Sequence, residues 1–460
     1  MFPNQAKKNY SLLTGPIGRS ILSFAFPLLL GNLFQQFYNV ADSLIVGNFL
    51  GNSALAAVSS SGPIIQLLVG FFNGIAMGAG VVIARYLGGG HTEKLQHTVH
   101  TAVAFGLVTG ALMTLAGVFL TPYLLQMMGT PASILPQSIE YFRIYFYGSI
   151  AFVVYNVCMA VLNAVGDSRH PLYFLIIATI VNLSLDYLFI GILGCGIASA
   201  AWATVISQFV SVILSIGFLI HSKGVQRLIF SQLRIEWPYL QQILKNGLPA
   251  GFQMSIISIA NVVVQSNINF FGADVVAGHG AFSRIEGFGF LPINCFSLGM
   301  STFVSQNLGA GQIDRVKKGA RFGILCSIIM AEIIGIVIFI FAPMFISAFT
   351  RDPMVIAYGV GRAHICSLFF MLLAFSHVAS GILRGAGKAF VPMLVMLICW
   401  CLIRVSYICI AVRIIPHINT VSWAYPITWT LSTISFILYL KYSNWLRTGQ
   451  KPTVSADLSS

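Results

Sequence analysis

The sequence predicts an all-α membrane protein in which twelve transmembrane helices form two six-helix lobes, related as a parallel repeat, around a central cleft. Composition, the order of the apolar runs and an internal repeat predict it. Of the 460 residues, 57% are hydrophobic and 8% are charged, whereas a soluble domain has about 25% charged residues. So few charges exclude a soluble enzyme, a secreted disulfide-bonded domain and a nucleic-acid-binding module.

Apolar runs separated by Gly, Pro and charged residues have the length that crosses a bilayer. In the first half we predict spans near residues 20–46, 54–86, 95–120, 136–163, 170–191 and 196–220. In the second half we predict them near residues 241–271, 275–307, 316–342, 354–382, 390–413 and 419–441. Twelve spans place both ends of the chain on one side of the membrane.

Lys and Arg are distributed unevenly between the two sets of loops. The net charge is +13. The tails and alternate loops carry nearly all the basic loop residues, whereas the other loops hold only Arg351 and Arg413. Basic loops stay on the cytoplasmic side of a membrane. We therefore expect a multi-pass protein of the cell membrane with both termini cytoplasmic, and no binding of nucleic acid.

Gly, Pro and Trp residues recur at one constant offset of 221 residues. The pairs include residues 87–90 (LGGG) with 308–311 (LGAG), Gly166 with Gly387, Pro122 with Pro343, and Trp202 with Trp423. Because six is even, two six-helix copies have the same orientation, as in the parallel repeats of secondary transporters. A single-chain channel is the alternative, but it needs no such pair of lobes. We predict a first lobe at 1–225, a cytoplasmic linker at 226–240, a second lobe at 241–445 and a cytoplasmic tail at 446–460.

Polar side chains follow one face of the first predicted span. They lie three or four residues apart, or a single residue apart in one case, at Asn32, Gln35, Gln36, Asn39 and Asp42. On the fifth span Asn182 and Asp186 are four residues apart and share a face, and Thr204 lies on the sixth. An Asp at the centre of a membrane helix costs about 2.5–3.5 kcal/mol. This cost favours a specific role for Asp42 and Asp186.

Two interpretations of these residues remain open. Carboxylate, amide and hydroxyl oxygens are suited to binding Na⁺, and two neighbouring buried carboxyl groups can take up and release a proton. The other interpretation is that they hold helices together, although neutral amides would do so at lower cost. We predict a cation site at Asp42, Asn182, Asp186 and Thr204, with H⁺ or Na⁺ as the ion.

The second half carries no copy of this set. At the offset of 221 residues, Asp42 corresponds to Val263 and Asp186 to Tyr407, so the predicted cation site belongs to the first lobe alone. Arg284 and Glu286 lie in the eighth span, where they either line the cleft or pair with neighbouring helices. Arg404 lies in the middle of the eleventh span.

Motifs of soluble catalysts do not occur in this sequence. It contains no P-loop, HExxH or GxSxG motif, and its eight cysteines form no CxxC pair. We expect no enzyme activity, no ATP-driven pumping and no cofactor beyond the transported H⁺ or Na⁺.

Several stretches resemble the multidrug and toxic compound extrusion (MATE) family. They are FPLLLGNLFQQFYNVADSLIVGNFLG, GIAMGAGVVIARYLGGG, VLNAVGDSRHPL, SRIEGFGFLPINCFSLGMSTFVSQNLGAG and ILRGAGKAFVPM. The resemblance covers nearly the whole chain. It implies a twelve-helix fold of two lobes and export of organic cations and drugs in exchange for Na⁺ or H⁺.

The resemblance is to the branch of the family whose coupling site lies in the N-terminal lobe. It implies that the coupling residues are Asp42, Asn182, Asp186 and Thr204, and that further pocket positions are Gln35, Tyr38, Tyr141 and Asn156. We add Asn39 and Glu286 as possible pocket lining. The other branch has an acidic residue on the seventh helix, and this chain has none between Gly247 and Phe271.

The leading hypothesis is therefore a cation-coupled exporter that acts as a monomer, with the lipid bilayer, the coupling cation and small organic, cationic substrates as its partners. The alternative is a flippase for lipid-linked oligosaccharides, which the wider superfamily contains. A flippase for anionic headgroups should line its cleft with several Arg and Lys side chains. Arg143, Arg284, Arg362 and Arg404 are the basic residues available within the spans.

Overall fold

The computed structural model describes residues 12–60, 62–127 and 130–446. Residues 447–460, nearly all of the predicted tail, lie outside the described residues. Within the described ranges the protein is helical and has no β-strand.

Seven α-helices make the first lobe. They are α1 (Ile17–Ser60), α2 (Gly62–Gly88), α3 (Thr92–Met127), α4 (Leu135–Tyr147), α5 (Ser149–Ala164), α6 (Arg169–Asp186) and α7 (Ile197–His221). A π-helical segment, Tyr187–Ile192, continues α6. The lobe core packs Ile83 of α2 against residues such as Val99 of α3 and Val161 of α5.

Eight α-helices make the second lobe. They are α8 (Trp237–Asn269), α9 (Ala273–Gly309), α10 (Ile313–Ser347), α11 (Pro353–Cys366), α12 (Phe370–Gly385), α13 (Phe390–Met396), α14 (Arg404–Ile414) and α15 (Ile418–Tyr442). A π-helical segment, Leu397–Ile403, joins α13 to α14. Phe303, Phe370 and Trp429 are buried in the core of this lobe.

Ten of the described helices are long and apolar enough to cross a membrane, or eleven if the bent pair α4 and α5 counts as one span. The helix α15 stands at the predicted twelfth span. It is 25 residues long but rich in Ser and Thr, and it turns Ser422, Thr428 and Ser432 into the protein. Burial of these hydroxyl groups explains how a less apolar helix fits the lobe.

The spans differ from the prediction at two places. The predicted break near residues 47–53 is wrong, because α1 continues to Ser60. The Gly and Asn residues of that stretch do not end the helix, because a membrane helix satisfies its backbone hydrogen bonds internally. The fourth span is broken at Gly148, where α4 and α5 meet at 46°. A Cβ atom on Gly148 would lie 2.9 Å from Val205 of α7, so the break allows that helix to pack closely.

The helix boundaries repeat at the offset found in the sequence. Ser149–Ala164 corresponds to Phe370–Gly385, and Ile197–His221 corresponds to Ile418–Tyr442. Two pairs of glycines in the left-handed backbone region also correspond: Gly90 (φ 72°) with Gly311 (φ 70°), and Gly166 (φ 87°) with Gly387 (φ 77°). The duplication is therefore visible in backbone conformation as well as in sequence.

The lobes meet mainly where α2 crosses α8 and α9. Small residues allow this approach: a Cβ atom on Gly74 would lie 2.2 Å from the backbone of Gly251, and one on Gly78 would lie 2.4 Å from Gly247. In a bilayer, close packing of small residues is a principal source of helix association.

Two matched hydrogen bonds join the lobes at the side predicted to be cytoplasmic. Arg85 Nη2 donates to the carbonyl of Gly385 at 3.1 Å, and Gln306 Nε2 donates to the carbonyl of Ala164 at 2.7 Å. Arg85 corresponds to Gln306 and Ala164 to Gly385 at the 221-residue offset, so each lobe holds the other in the same way. We call these two bonds the reciprocal latch.

The connector between α7 and α8 spans residues 222–236, and the linker predicted from the sequence spans residues 226–240. The connector is bound to the start of α3. His100 Nε2 accepts from the backbone N–H of Ile229 at 3.0 Å, and the carboxylate of Glu236 lies 2.6 Å from His97 Nδ1. Arg234 Nε donates to the same carboxylate at 2.8 Å.

Glu236 gives the connector a pH dependence. Burial alone would raise the pKa of Glu236, but hydrogen bonds from Arg234 and His97 outweigh burial and hold its pKa below the ordinary range. A lowered pKa stabilises the folded state above the unfolded-state value, about 4.3 for Glu. That stability is lost as pH falls through the folded-state pKa.

We expect Glu236→Gln to lower the melting temperature at pH 7 by about 1–2 °C, because the ion pairs of Glu236 are partly exposed. The difference from the unaltered protein should shrink as pH falls below about 4. Intrinsic fluorescence during heating in detergent measures both. Glu140→Gln is the control, since Glu140 is exposed on α4. Equal melting of Glu236→Gln and the unaltered protein at pH 7 would contradict this account.

Candidate functional site

Three helices of the first lobe bring the predicted cation-site residues together. Asp42 comes from the polar face of α1, Asn182 and Asp186 from the last turns of α6, and Thr204 from α7. The helix α1 packs on α6, and α6 packs on α7. We call the surroundings of these four residues the acidic pocket.

The two carboxyl groups of the acidic pocket lie close to each other and interact electrostatically. A carboxylate is only an acceptor, so a hydrogen bond between Asp42 and Asp186 needs a proton on one of them. With its amide nitrogen turned toward the carboxyl group, Asn182 donates to Asp186 Oδ2 at 2.9 Å. In the same orientation its oxygen accepts from the backbone N–H of Thr204 at 3.2 Å.

Burial in the acidic pocket is deep. Asp186 is 0% exposed and Asn182 is 1% exposed, whereas Asp42 is half-buried. One oxygen of each carboxyl group, Oδ1 of Asp42 and Oδ1 of Asp186, is buried without a hydrogen-bond partner among the described residues. Buried polar atoms normally find partners. These two oxygens are therefore free to accept a proton or to contact a cation.

Tyrosine hydroxyl groups surround the carboxyl pair. Tyr38 lies near the hydroxyl of Thr204 and near both Asp residues. Tyr141 of α4 is buried beside Asp42 and Tyr38. The structure thus brings both predicted tyrosines to the acidic pocket.

Tyr145 was missed in the sequence. It lies near Gln208 of α7 and close to Tyr38 and Tyr141. The available signal was its spacing, because Tyr145 is four residues after Tyr141 and shares a helix face with it. Gln208 likewise lies four residues after Thr204.

The three other pocket positions predicted in the first lobe differ in burial and in partners. Asn156 donates to the carbonyl of Phe152 on its own helix at 2.8 Å. On α1, Gln35 is half-buried and Asn39 is exposed.

Glu286 lies in the second lobe, where its Oε2 is 3.2 Å from Arg362 Nη2. Of the two roles left open for it, the structure selects pairing with a neighbouring helix. Arg284 is exposed, and its guanidinium lies 5.9 Å from the ring centre of Phe349.

Comparison with known proteins gives the family. The model of the MatE family matches residues 27–188 and again residues 249–410, one match in each lobe and together more than half of the chain. The probable multidrug resistance protein YpnP of Bacillus subtilis is 29% identical, with 95% of this chain and 98% of that protein covered. The FAD transporter of Shewanella oneidensis is 28% identical, with 76% and 78% covered.

Solved structures show the same fold. A structure described as the outward-facing conformation of a multidrug resistance MATE family transporter of the MOP superfamily is similar with a TM-score of 0.89 at 22% identity, covering 95% of this chain and 98% of that chain. A MATE structure in the bent conformation also gives 0.89 at 22% identity, covering 94% and 97%. With both lobes matched by one family model and the fold shared, the chain belongs to the MatE family of multidrug and toxic compound extrusion transporters.

Proposed function

We propose that this protein is a secondary active exporter of small organic molecules, driven by H⁺ that enters through the acidic pocket as the two lobes alternate in access. The observation that carries the proposal is the contact between two carboxyl groups, Asp42 and Asp186, inside a membrane lobe. The relatives named multidrug resistance proteins support export of drugs.

Energetic cost favours an ion site over a structural contact. Each carboxylate costs about 2.5–3.5 kcal/mol at the centre of a membrane helix, whereas hydrogen bonds between membrane helices return about 0.6–2 kcal/mol. Asn side chains at both positions would join the helices more cheaply. An Asp pair, unlike an Asn pair, can change its charge by binding an ion, and ion-coupled transport requires such a change.

The closeness of the two carboxyl groups favours H⁺ over Na⁺ as the coupling ion. A proton on one of them allows a hydrogen bond between them, and release of that proton leaves two like charges close together, which is unfavourable. Na⁺ is the second candidate, since it would replace the proton between the same oxygens. Either cation releases about 2.3 kcal/mol on moving inward through 100 mV.

The basic loops support a cell-membrane protein with cytoplasmic termini, so we assign the reciprocal latch to the cytoplasmic side. The latch and the close contact of α2 with α8 then close that side. Export requires this closure to open and reform in each cycle, with substrate and ion favouring different states. We propose that the protein completes this cycle as a monomer.

The relatives do not restrict the substrate to one charge. Several are named multidrug resistance or multidrug export proteins, and one is named an FAD transporter. The acidic pocket supports cationic organic substrates, which can compete with H⁺ for its carboxylates. Such competition is one physical route to exchange.

We expect Asp42→Asn to reduce gradient-driven transport to the rate measured without a gradient, and Asp186→Asn to do the same. The amide retains size and polarity but cannot carry the proton, and it is cheaper than a carboxylate in the membrane, so expression should be retained. Dye efflux from proteoliposomes with an imposed pH gradient, in buffer without Na⁺, is the measurement.

Glu332→Gln is the matched control for these variants. Glu332 is half-buried on α10 and accepts from the backbone N–H of Met371 at 3.2 Å, away from the acidic pocket, so its transport should stay near that of the unaltered protein. Efflux by Asp42→Asn at the unaltered rate would refute the proposed role of the pocket. A strict requirement for Na⁺ in the unaltered protein would assign coupling to Na⁺.

A second prediction concerns the cytoplasmic closure. A Cβ atom on Gly88 would lie 1.8 Å from the carbonyl oxygen of Gln306, so Gly88→Ala cannot close the lobes as observed. Ser305 is 0% exposed and donates to the carbonyl of Val81 at 2.6 Å across the interface. In a protein without its native cysteines, Ser305→Cys should react several-fold faster with a membrane-impermeant maleimide in inside-out vesicles when Gly88→Ala is added.

Gly217→Ala is the control for this experiment, because a Cβ atom on Gly217 meets nothing within 4 Å. It should leave the labelling rate unchanged. Equal labelling with and without Gly88→Ala would show that the contact at Gly88 does not maintain closure.

A further inference from the structure

The second lobe contains a buried group of charged residues that the proposed ion cycle does not use. Arg362 of α11, Arg404 of α14 and Glu286 of α9 are 4%, 2% and 8% exposed. Both arginines lie over the ring of Tyr425 on α15. The guanidinium carbon of Arg362 is 5.0 Å from the ring centre, and that of Arg404 is 4.5 Å from it. We call these four residues the basic cluster.

Arg362 is paired with the one carboxylate of the basic cluster, and its Nε is buried without a hydrogen-bond partner among the described residues. Its Nη2 lies 3.2 Å from Glu286 Oε2, and its Nη1 donates to Ser283 Oγ at 3.1 Å and approaches the carbonyl of His279 at 3.4 Å. Its charge is therefore matched by the one carboxylate of the basic cluster. Oε1 of Glu286 has no hydrogen-bond partner among the described residues.

Arg404 has no carboxylate of its own. Its Nε and Nη2 both donate to one hydroxyl, Thr428 Oγ1, at 3.1 Å and 2.8 Å. The rings of Trp400 and Tyr425 lie over the guanidinium. No carboxylate oxygen of the described residues lies within 4.0 Å of Arg404, and its Nη1 donates to none of the described residues. The basic cluster thus holds two positive charges and one negative charge.

The position of the basic cluster is informative. At the 221-residue offset, Arg362 corresponds to Tyr141, Tyr425 to Thr204 and Thr428 to Ser207. The cluster therefore occupies the place in the second lobe that the acidic pocket occupies in the first. The same backbone framework presents carboxyl groups in one lobe and guanidinium groups in the other.

A π-helical segment adjoins the charged residue in each lobe. Tyr187–Ile192 follows Asp186 directly, and Leu397–Ile403 precedes Arg404 directly. Such segments are frequent at functional sites, because they change the direction in which neighbouring side chains point. This feature links Arg404 to a site rather than to ordinary packing.

A purely structural role accounts poorly for the second arginine. One Arg paired with Glu286 would join α9 to α11, whereas Arg404 adds an unmatched charge, which is costly at the centre of a membrane helix. Cation–π contacts with Trp400 and Tyr425 offset part of this cost. An anion beside Nη1 would offset more of it through charge-assisted hydrogen bonds.

We propose that the basic cluster is an anion-binding subsite that takes the carboxylate or phosphate group of a transported amphiphilic molecule. This inference rests on the proposed export function and extends its substrate class from cations to molecules that carry an anionic group. Arg404 binds the anion, and Tyr425 and Trp400 contact the flat apolar part. Glu286 Oε1 accepts a hydrogen bond from a donor on the same molecule.

Equilibrium binding tests the subsite without any ion gradient. The full-length protein in phosphatidylcholine nanodiscs is titrated calorimetrically with 1-naphthoate and with its neutral amide, 1-naphthamide. Naphthoate should bind the unaltered protein at least tenfold more tightly than the amide. Arg404→Gln should weaken naphthoate binding about 10- to 100-fold and leave the amide unchanged.

Three variants make the result specific. Arg284→Gln, which removes an exposed arginine from the same lobe, should bind naphthoate as the unaltered protein does. The titration uses no ion gradient, so a failure of ion coupling and a failure of the anion subsite are distinguishable. Thr428→Val retains Arg404 but removes the hydroxyl that orients it; its naphthoate affinity should fall, and Thr428→Ser should restore it.

Two further arms identify the source of the anion. Competition by millimolar inorganic phosphate would support the subsite and assign it to free anions. Loss of naphthoate binding in nanodiscs of phosphatidylglycerol, with restoration in phosphatidylcholine, would support it and assign it to lipid headgroups. Equal affinity for naphthoate and naphthamide, or normal naphthoate binding by both Arg404→Gln and Thr428→Val, would overturn the proposal.

Discussion

The lipid bilayer offers no water to a buried polar group, and this constraint accounts for most of the structure. Every backbone amide must bond within the protein, so the described chain is helical. Charged side chains inside the membrane must meet partners, so they occur in compact groups: Asp42 with Asp186, and Arg362 and Arg404 with Glu286. Lipid-facing surfaces remain apolar, and polar residues turn inward even on a helix as rich in hydroxyl groups as α15.

Duplication supplied two copies of one framework, and substitution gave them different chemistry. The helices that carry Tyr141 and Thr204 in the first lobe carry Arg362 and Tyr425 at the matching positions in the second. A fold defined by helix boundaries and glycine turns tolerates this change, because those features depend on backbone and small residues. Side chains at the centre of each lobe are then free to differ in charge.

Contacts between the lobes depend on the smallest side chains and on backbone carbonyl groups. Gly74, Gly78 and Gly88 allow helices of opposite lobes to approach within a distance that no Cβ atom could occupy. Arg85 and Gln306 bond to carbonyl oxygens at helix ends rather than to charged partners. The bond from Gln306 is neutral and the bond from Arg85 is charge-assisted, and neither is an ion pair.

The sequence by itself determined the class of protein, the repeat and the identity of the acidic residues, because composition, periodicity and buried charge are properties of the chain alone. It did not determine that α1 runs to Ser60 or that the fourth span breaks at Gly148, since both depend on packing against other helices. Tyr145 was missed, and Glu286 lies apart from the acidic pocket because it pairs with Arg362 on another helix. Only the tertiary structure decided which distant side chains meet, because residues such as Arg404 and Tyr425 acquire a shared environment when their helices pack together.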